Sequence, residues 1–153
     1  MASPLKIKET LLTLCRGFIE ARIRSAELSI QMAQISANEE SKSSAGDKYE
    51  TGRAMAQLEI EKGSVQFAEA NKMIQALEQM SPNVESSVVM LGSLVYTNQG
   101  KYFLSVAVGQ LIVDGVTWYA ISPASPIGTN LKGLRMGDSF SFNHKEFVVE
   151  KVS

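Results

Sequence analysis

The chain has 153 residues, 44% hydrophobic and 20% charged, enough apolar material for one domain or two small ones. Fifteen Lys and Arg against sixteen Asp and Glu leave a formal net charge of −1, which excludes nucleic-acid or membrane binding driven by overall charge but not a local basic patch. The single cysteine, Cys15, excludes an intrachain disulfide and a cysteine metal cluster, and a lone His144 beside Asn143 in a turn makes no histidine metal site.

The first element is a long helix. From Pro4 to about Lys42 there is no internal proline and only Gly17 interrupts. Leu11, Leu14, Phe18, Ala21, Ser25, Leu28, Met32 and Ile35 recur in steps of three and four, which predicts one buried stripe along this helix. Cys15 is expected on its face as a small apolar residue. From about Asp47 to Met80 the same spacing returns through Ala56, Ile60, Gly63, Phe67, Ala70, Ile74 and Leu77, and Ser81-Pro82-Asn83 ends it. Two helices of about 35 residues, each roughly 50 Å long at 1.5 Å per residue, have no partner but each other. The expectation is an antiparallel helical hairpin, a coiled coil, over 1–82 with its tip at about 40–50.

After Asn83 the composition turns to β-branched and aromatic residues. Strands are predicted at Val88–Leu91, Leu94–Tyr96, Tyr102–Val106, Val116–Ile121, Phe140–Phe142 and Phe147–Val149. Asn98-Gln99-Gly100, Asp114-Gly115 and Asn143-His144 mark turns, and Asp114-Gly115 is a hairpin signal. Ser125 to Leu131 reads as a short helix. The expected class is α+β: the helical hairpin, then a small antiparallel β-sheet domain over 83–153 with one short helix. Trp118 and Tyr119 read as core or edge residues.

The tip segment Gly46-Asp47-Lys48-Tyr49-Glu50 has two readings. Asp47 is a good N-cap and Glu50, three residues on, closes a capping box at the positive end of the helix dipole. The same i, i+3 spacing puts both carboxylates on one face, where they can share a divalent cation whose other ligands come from another molecule. Glu39 and Glu40 add negative charge at this end. Lys6, Lys8, Arg16, Arg22 and Arg24, opposed by Glu9 and Glu20, make the other end more basic.

At these residues the chain resembles the Gre family of bacterial transcript cleavage and elongation factors, over nearly its whole length. Gly46-Asp47-x-x-Glu50 matches the family's acidic tip, G-D-x-x-E. Ser125-Pro126-Ile127-Gly128-Thr129-Asn130-Leu131-Lys132-Gly133-Leu134-Arg135-Met136-Gly137-Asp138 matches its more specific C-terminal signature. The resemblance implies that the second domain is FKBP-like. It implies a transcription elongation factor that has no active site of its own, inserts its hairpin into the secondary channel of RNA polymerase and stimulates cleavage of backtracked RNA. Asp47 and Glu50 would then be the catalytic, metal-sharing acids, with Mg²⁺ held only in the complex. Ser125, Pro126 and Ile127 would contact the polymerase, and Arg16, Arg22 and Arg24 would lie near the nascent RNA 3′ end.

Thr51, Gly52, Arg53 and Ala54 stand where the family carries an asparagine and an acid–aromatic pair. Thr51, Gly52 and Arg53 favour the alternative, a Gre-like channel binder that regulates or inhibits polymerase without stimulating cleavage. Two other classes are open. A peptidyl-prolyl isomerase needs a concave aromatic pocket, whereas Tyr96, Tyr102, Trp118 and Tyr119 alternate as ordinary core residues. A coiled-coil adaptor would bind its partner without the tip acids. No segment has the pattern of a signal peptide or a membrane span, so a cytoplasmic monomer is expected.

Overall fold

The structure, a computed structural model, describes residues 2–40 and 46–153, and the side chains of all of these except 40 and 46–49. Helix α1 spans Pro4–Glu40 and α2 spans Gly46–Glu78. Helix α1 starts as its sequence predicts: Pro4 needs no hydrogen-bond acceptor in the first turn, and Lys6 N donates to Ser3 Oγ at 3.3 Å. Helix α2 ends by tightening, with Gln79 N and Met80 N donating to the carbonyls of Ala76 and Leu77 three residues back. Pro82 follows.

The chain divides into two compact units. One, Ile19–Lys72, is the paired part of the two helices. Its α2 seam is the expected one: Ala56, Gly63 and Ala70 are buried, with Ile60 and Phe67 half-buried between them. The α1 seam is not. Ile19, Ala26 and Ala33 are buried and Ile30 is half-buried, while Leu28, Met32 and Ile35 face outward, Met32 with 62% of its surface exposed. The cause is close approach. A Cβ on Gly63 would stand 2.7 Å from Ile30 Cγ1 and 3.5 Å from the Ala26 carbonyl oxygen, so small residues line the seam and larger side chains are turned away.

The other unit joins Met1–Phe18 to Met73–Ser153. Its sheet has six strands, β1 Leu94–Thr97, β2 Gly100–Leu104, β3 Gly109–Val113, β4 Val116–Ile121, β5 Ser139–Phe142 and β6 Lys145–Val152, in the order β3-β4-β2-β1-β6-β5. With helix α3 at Pro126–Leu131, this is the expected α+β class. Three details differ from expectation. Val88–Leu91 is not a strand; Val88 makes one isolated bridge to Arg135, and Val89 is held by backbone hydrogen bonds to Gly133 and Leu134. The edge strand β3 was not foreseen, although it supplies the first arm of the Asp114-Gly115 hairpin through the pairing of Val113 with Val116. Lastly, β2 and β4 pair in parallel because β3 loops out to the edge between them in sequence.

Two of the hairpin turns are of the expected kind. Asp114 and Gly115 have φ of 50° and 77°, Asn143 and His144 of 51° and 64°, as tight turns between twisted strands require. Val89, Val95, Tyr102, Leu104, Leu131, Phe147 and Val149 form a core cluster against which Ile121 and Ile127 pack. Leu94, Phe103 and Trp118, which alternate with these along their strands, are buried too. Within this unit Leu11 and Cys15 of α1 are also fully buried, and Lys8 Nζ donates to the Val84 carbonyl at 2.6 Å.

Candidate functional site

The segment 41–45, which holds Ser43 and Ser44 of the expected tip, lies outside the described residues, as do the side chains of Glu40 and Asp47. The backbone places Asp47 and Glu50 in the first turn and a half of α2, and the Glu50 side chain is exposed. Residues three apart share a helical face. Two carboxylates supply only part of the six-oxygen shell of a magnesium ion, the rest falling to water or to another molecule. Among the described residues no group of three or more His, Cys, Asp or Glu converges on a metal site.

The segment Ser125–Asp138 is shaped by local physical requirements. Ser125 is the N-cap of α3: its Oγ accepts from Gly128 N at 3.1 Å and donates to the Ser122 carbonyl at 2.7 Å. Pro126 fills the first helical position, where its missing N–H costs nothing. Gly128 is required because a Cβ there would lie 2.1 Å from the Ser122 carbonyl oxygen. Gly137 has φ of 95° in a turn closed by Asp138, whose Oδ2 accepts from Arg135 N at 2.8 Å. The three residues expected to contact polymerase therefore differ in what they present. Ser125 is engaged as a cap, Ile127 packs on the core cluster, and Pro126 is exposed.

The three arginines are exposed but do not form one stripe. Arg16 Nη1 lies 3.7 Å from Glu78 Oε1, an exposed pair worth little in stability. Arg22 and Arg24, at about 100° per residue, point roughly 160° apart around α1. Cys15 is buried, and burial pushes its thiol up to about 11 despite the opposing hydrogen bond with Ser105. That makes it inert packing, as its helical position implied. No helix among the described residues is long and apolar enough to cross a membrane.

Sequence reading missed a row of side chains on the sheet. Lys101 of β2 and Lys151 of β6 stand directly opposite Tyr96 of β1, one on each side. Only strand register brings these three together, and no local signal encodes it.

In class, the chain is thus an α+β protein in which a helical hairpin precedes a mostly antiparallel sheet with one short helix. A solved structure, that of the transcription factor Gfh1, is similar over 88% of this chain and 90% of that chain, with 21% identity and a TM-score of 0.34. No family model matches the sequence, and no curated protein is similar to it. Function is therefore argued from the residues.

Proposed function

We propose that this chain is a transcription elongation factor that binds RNA polymerase, enters its secondary channel with the α1–α2 hairpin and stimulates cleavage of backtracked RNA by the polymerase itself. The observation that carries this reading is the pair Asp47 and Glu50 in the opening turns of α2, immediately after the connection between two long helices. The resemblance of both this pair and the Ser125–Asp138 segment to the motifs of the Gre family supports it. In this reading the two carboxylates add ligands to a Mg²⁺ ion shared with the polymerase, which would polarise the attacking water. Because α2 begins at Gly46, Asp47 lies inside the first turn and not at the N-cap expected of it, where a carboxylate still faces the positive end of the helix. Pro126 would meet the polymerase, and the arginines of α1 would neutralise phosphates at the RNA 3′ end.

A second reading, a channel binder that regulates without cleavage, is favoured by Arg53. It follows Glu50 by three residues on the same exposed face of α2 and sets a positive charge near that acid. One experiment separates the two. RNA cleavage is followed in backtracked complexes of the cognate polymerase with Mg²⁺, comparing the wild type with Asp47→Asn/Glu50→Gln. Acceleration by the wild type and its loss in a variant that still binds supports cleavage stimulation. Competition for the channel by both proteins without acceleration supports the regulator. Absence of polymerase binding removes both.

A further inference from the structure

A cavity of about 530 Å³ opens within the unit that contains the sheet. Its walls are mainly apolar: Pro4 and Ile7 of α1, Val113 and Val116 of the β3–β4 hairpin, and Trp118. Its polar groups are Lys101, Lys151, the edge of Tyr96 and the carboxylate of Asp114 on the β3–β4 turn. The volume suits a small organic molecule.

The floor is one cross-strand row. Register pairs Tyr96 with Lys101 and with Lys151 on its two neighbouring strands, and Trp118 packs edge-on against the Tyr96 ring at 5.2 Å between centroids. The Lys101 and Lys151 ammonium groups stand 5.7 Å and 5.3 Å from the centre of that same ring. Among the described residues neither lysine has a carboxylate within ion-pair distance, Asp114 included. An anion seated beside either ammonium group gains a charge-assisted contact that the ring alone does not supply. A cationic ligand is disfavoured, because the ring that would attract it already serves two ammonium groups. A bare inorganic anion would leave the partly exposed apolar wall of Pro4, Ile7 and Val116 uncovered.

We propose that this cavity binds a small aromatic anion, its planar body against the wall of Pro4, Ile7 and Val116 and its charged group held by Lys101 or Lys151. Asp114, at the turn, would accept a hydrogen bond from a donor on the ligand. The site is separate from the tip acids and from the segment Ser125–Ile127, and it does not depend on the function proposed above.

Trp118 is the only tryptophan in the chain, so its indole N–H gives a single assigned reporter in a two-dimensional proton–nitrogen spectrum of the full-length protein. The probe is 1-naphthoate, compared with 1-naphthylmethylammonium and with inorganic phosphate. A saturable shift of the indole signal by naphthoate alone, with affinity falling about tenfold or more in Lys101→Gln/Lys151→Gln, is the expected result; tenfold corresponds to about 1.4 kcal/mol. Lys151→Gln alone, at an exposed position, supplies the same comparison should the double variant lose its fold. The proposal is overturned by no saturable shift, by an equal response to the ammonium analogue, or by undiminished naphthoate affinity in the lysine variants.

Discussion

The two units bury different kinds of residue. Between Ile19 and Lys72 the helices close over Ala26, Ala33, Ala56, Gly63 and Ala70, while Leu28, Met32, Ile35, Met55, Leu58 and Val65 stay exposed. The unit built on the sheet does the reverse, enclosing Leu11, Leu94, Phe103, Leu104, Trp118 and Phe147. Small residues let two backbones approach closely but remove little apolar surface from water, at about 25 cal/mol per Å². The paired helices are therefore held by fit more than by buried area, and they keep large apolar side chains outside.

This contrast can be sharpened first in the dense unit. An unfolded chain ionises Cys15 near 9.0, whereas burial holds the folded thiol neutral to about 11. Between those values the unfolded state binds fewer protons than the folded one, so stability falls as pH rises. The contribution is complete below pH 9 and is gone by about pH 11, at most about 3 kcal/mol for a shift of this size. Desolvation raises half-buried Tyr96 and buried Tyr102 as well, and they titrate in the same direction. Urea unfolding at pH 8 to 11 should thus show a shallower alkaline loss in Cys15→Ala than in the wild type; parallel curves would mean that the thiol is not desolvated.

The helical seam makes the next demand. Gly63→Val places methyl groups into Ile30 and should cost about 2 kcal/mol by overpacking, read as a lower urea midpoint. An unchanged midpoint would show that the helices do not approach at Ala26 and Gly63. The smallest effect has the opposite sign. Gly17 lies on α1 with nothing within 4 Å of its would-be Cβ, so Gly17→Ala should stabilise by about 1 kcal/mol through helix propensity. Two glycines on helices thus separate backbone entropy from close packing.

Much of the fold was legible because its signals are local. Pro4 at a helix start, Ser125-Pro126 before α3, Asp114-Gly115 and Asn143-His144 each act on neighbours within four residues. The α2 seam was legible too, because its spacing was followed regardless of side-chain size. On α1 the larger residues Leu28, Met32 and Ile35 drew the stripe to the wrong face, since bulk signals burial only where the partner leaves room. At the candidate site, the position of Glu50 on α2 was readable from spacing. The engagement of Ser125 as a cap and of Ile127 in the core was not, because both depend on how α3 sits on the sheet.

Taken alone, the sequence determined two long helices, the hairpin turns, the short capped helix and the acids that open α2, all interactions between residues close along the chain. The tertiary structure alone decided which face of α1 is buried, that β2 runs parallel to β4, and that Lys101 and Lys151 share Tyr96. Each of those outcomes depends on strand order, register or backbone approach between residues distant in sequence, where many pairings satisfy the same local pattern and only the packed whole selects one.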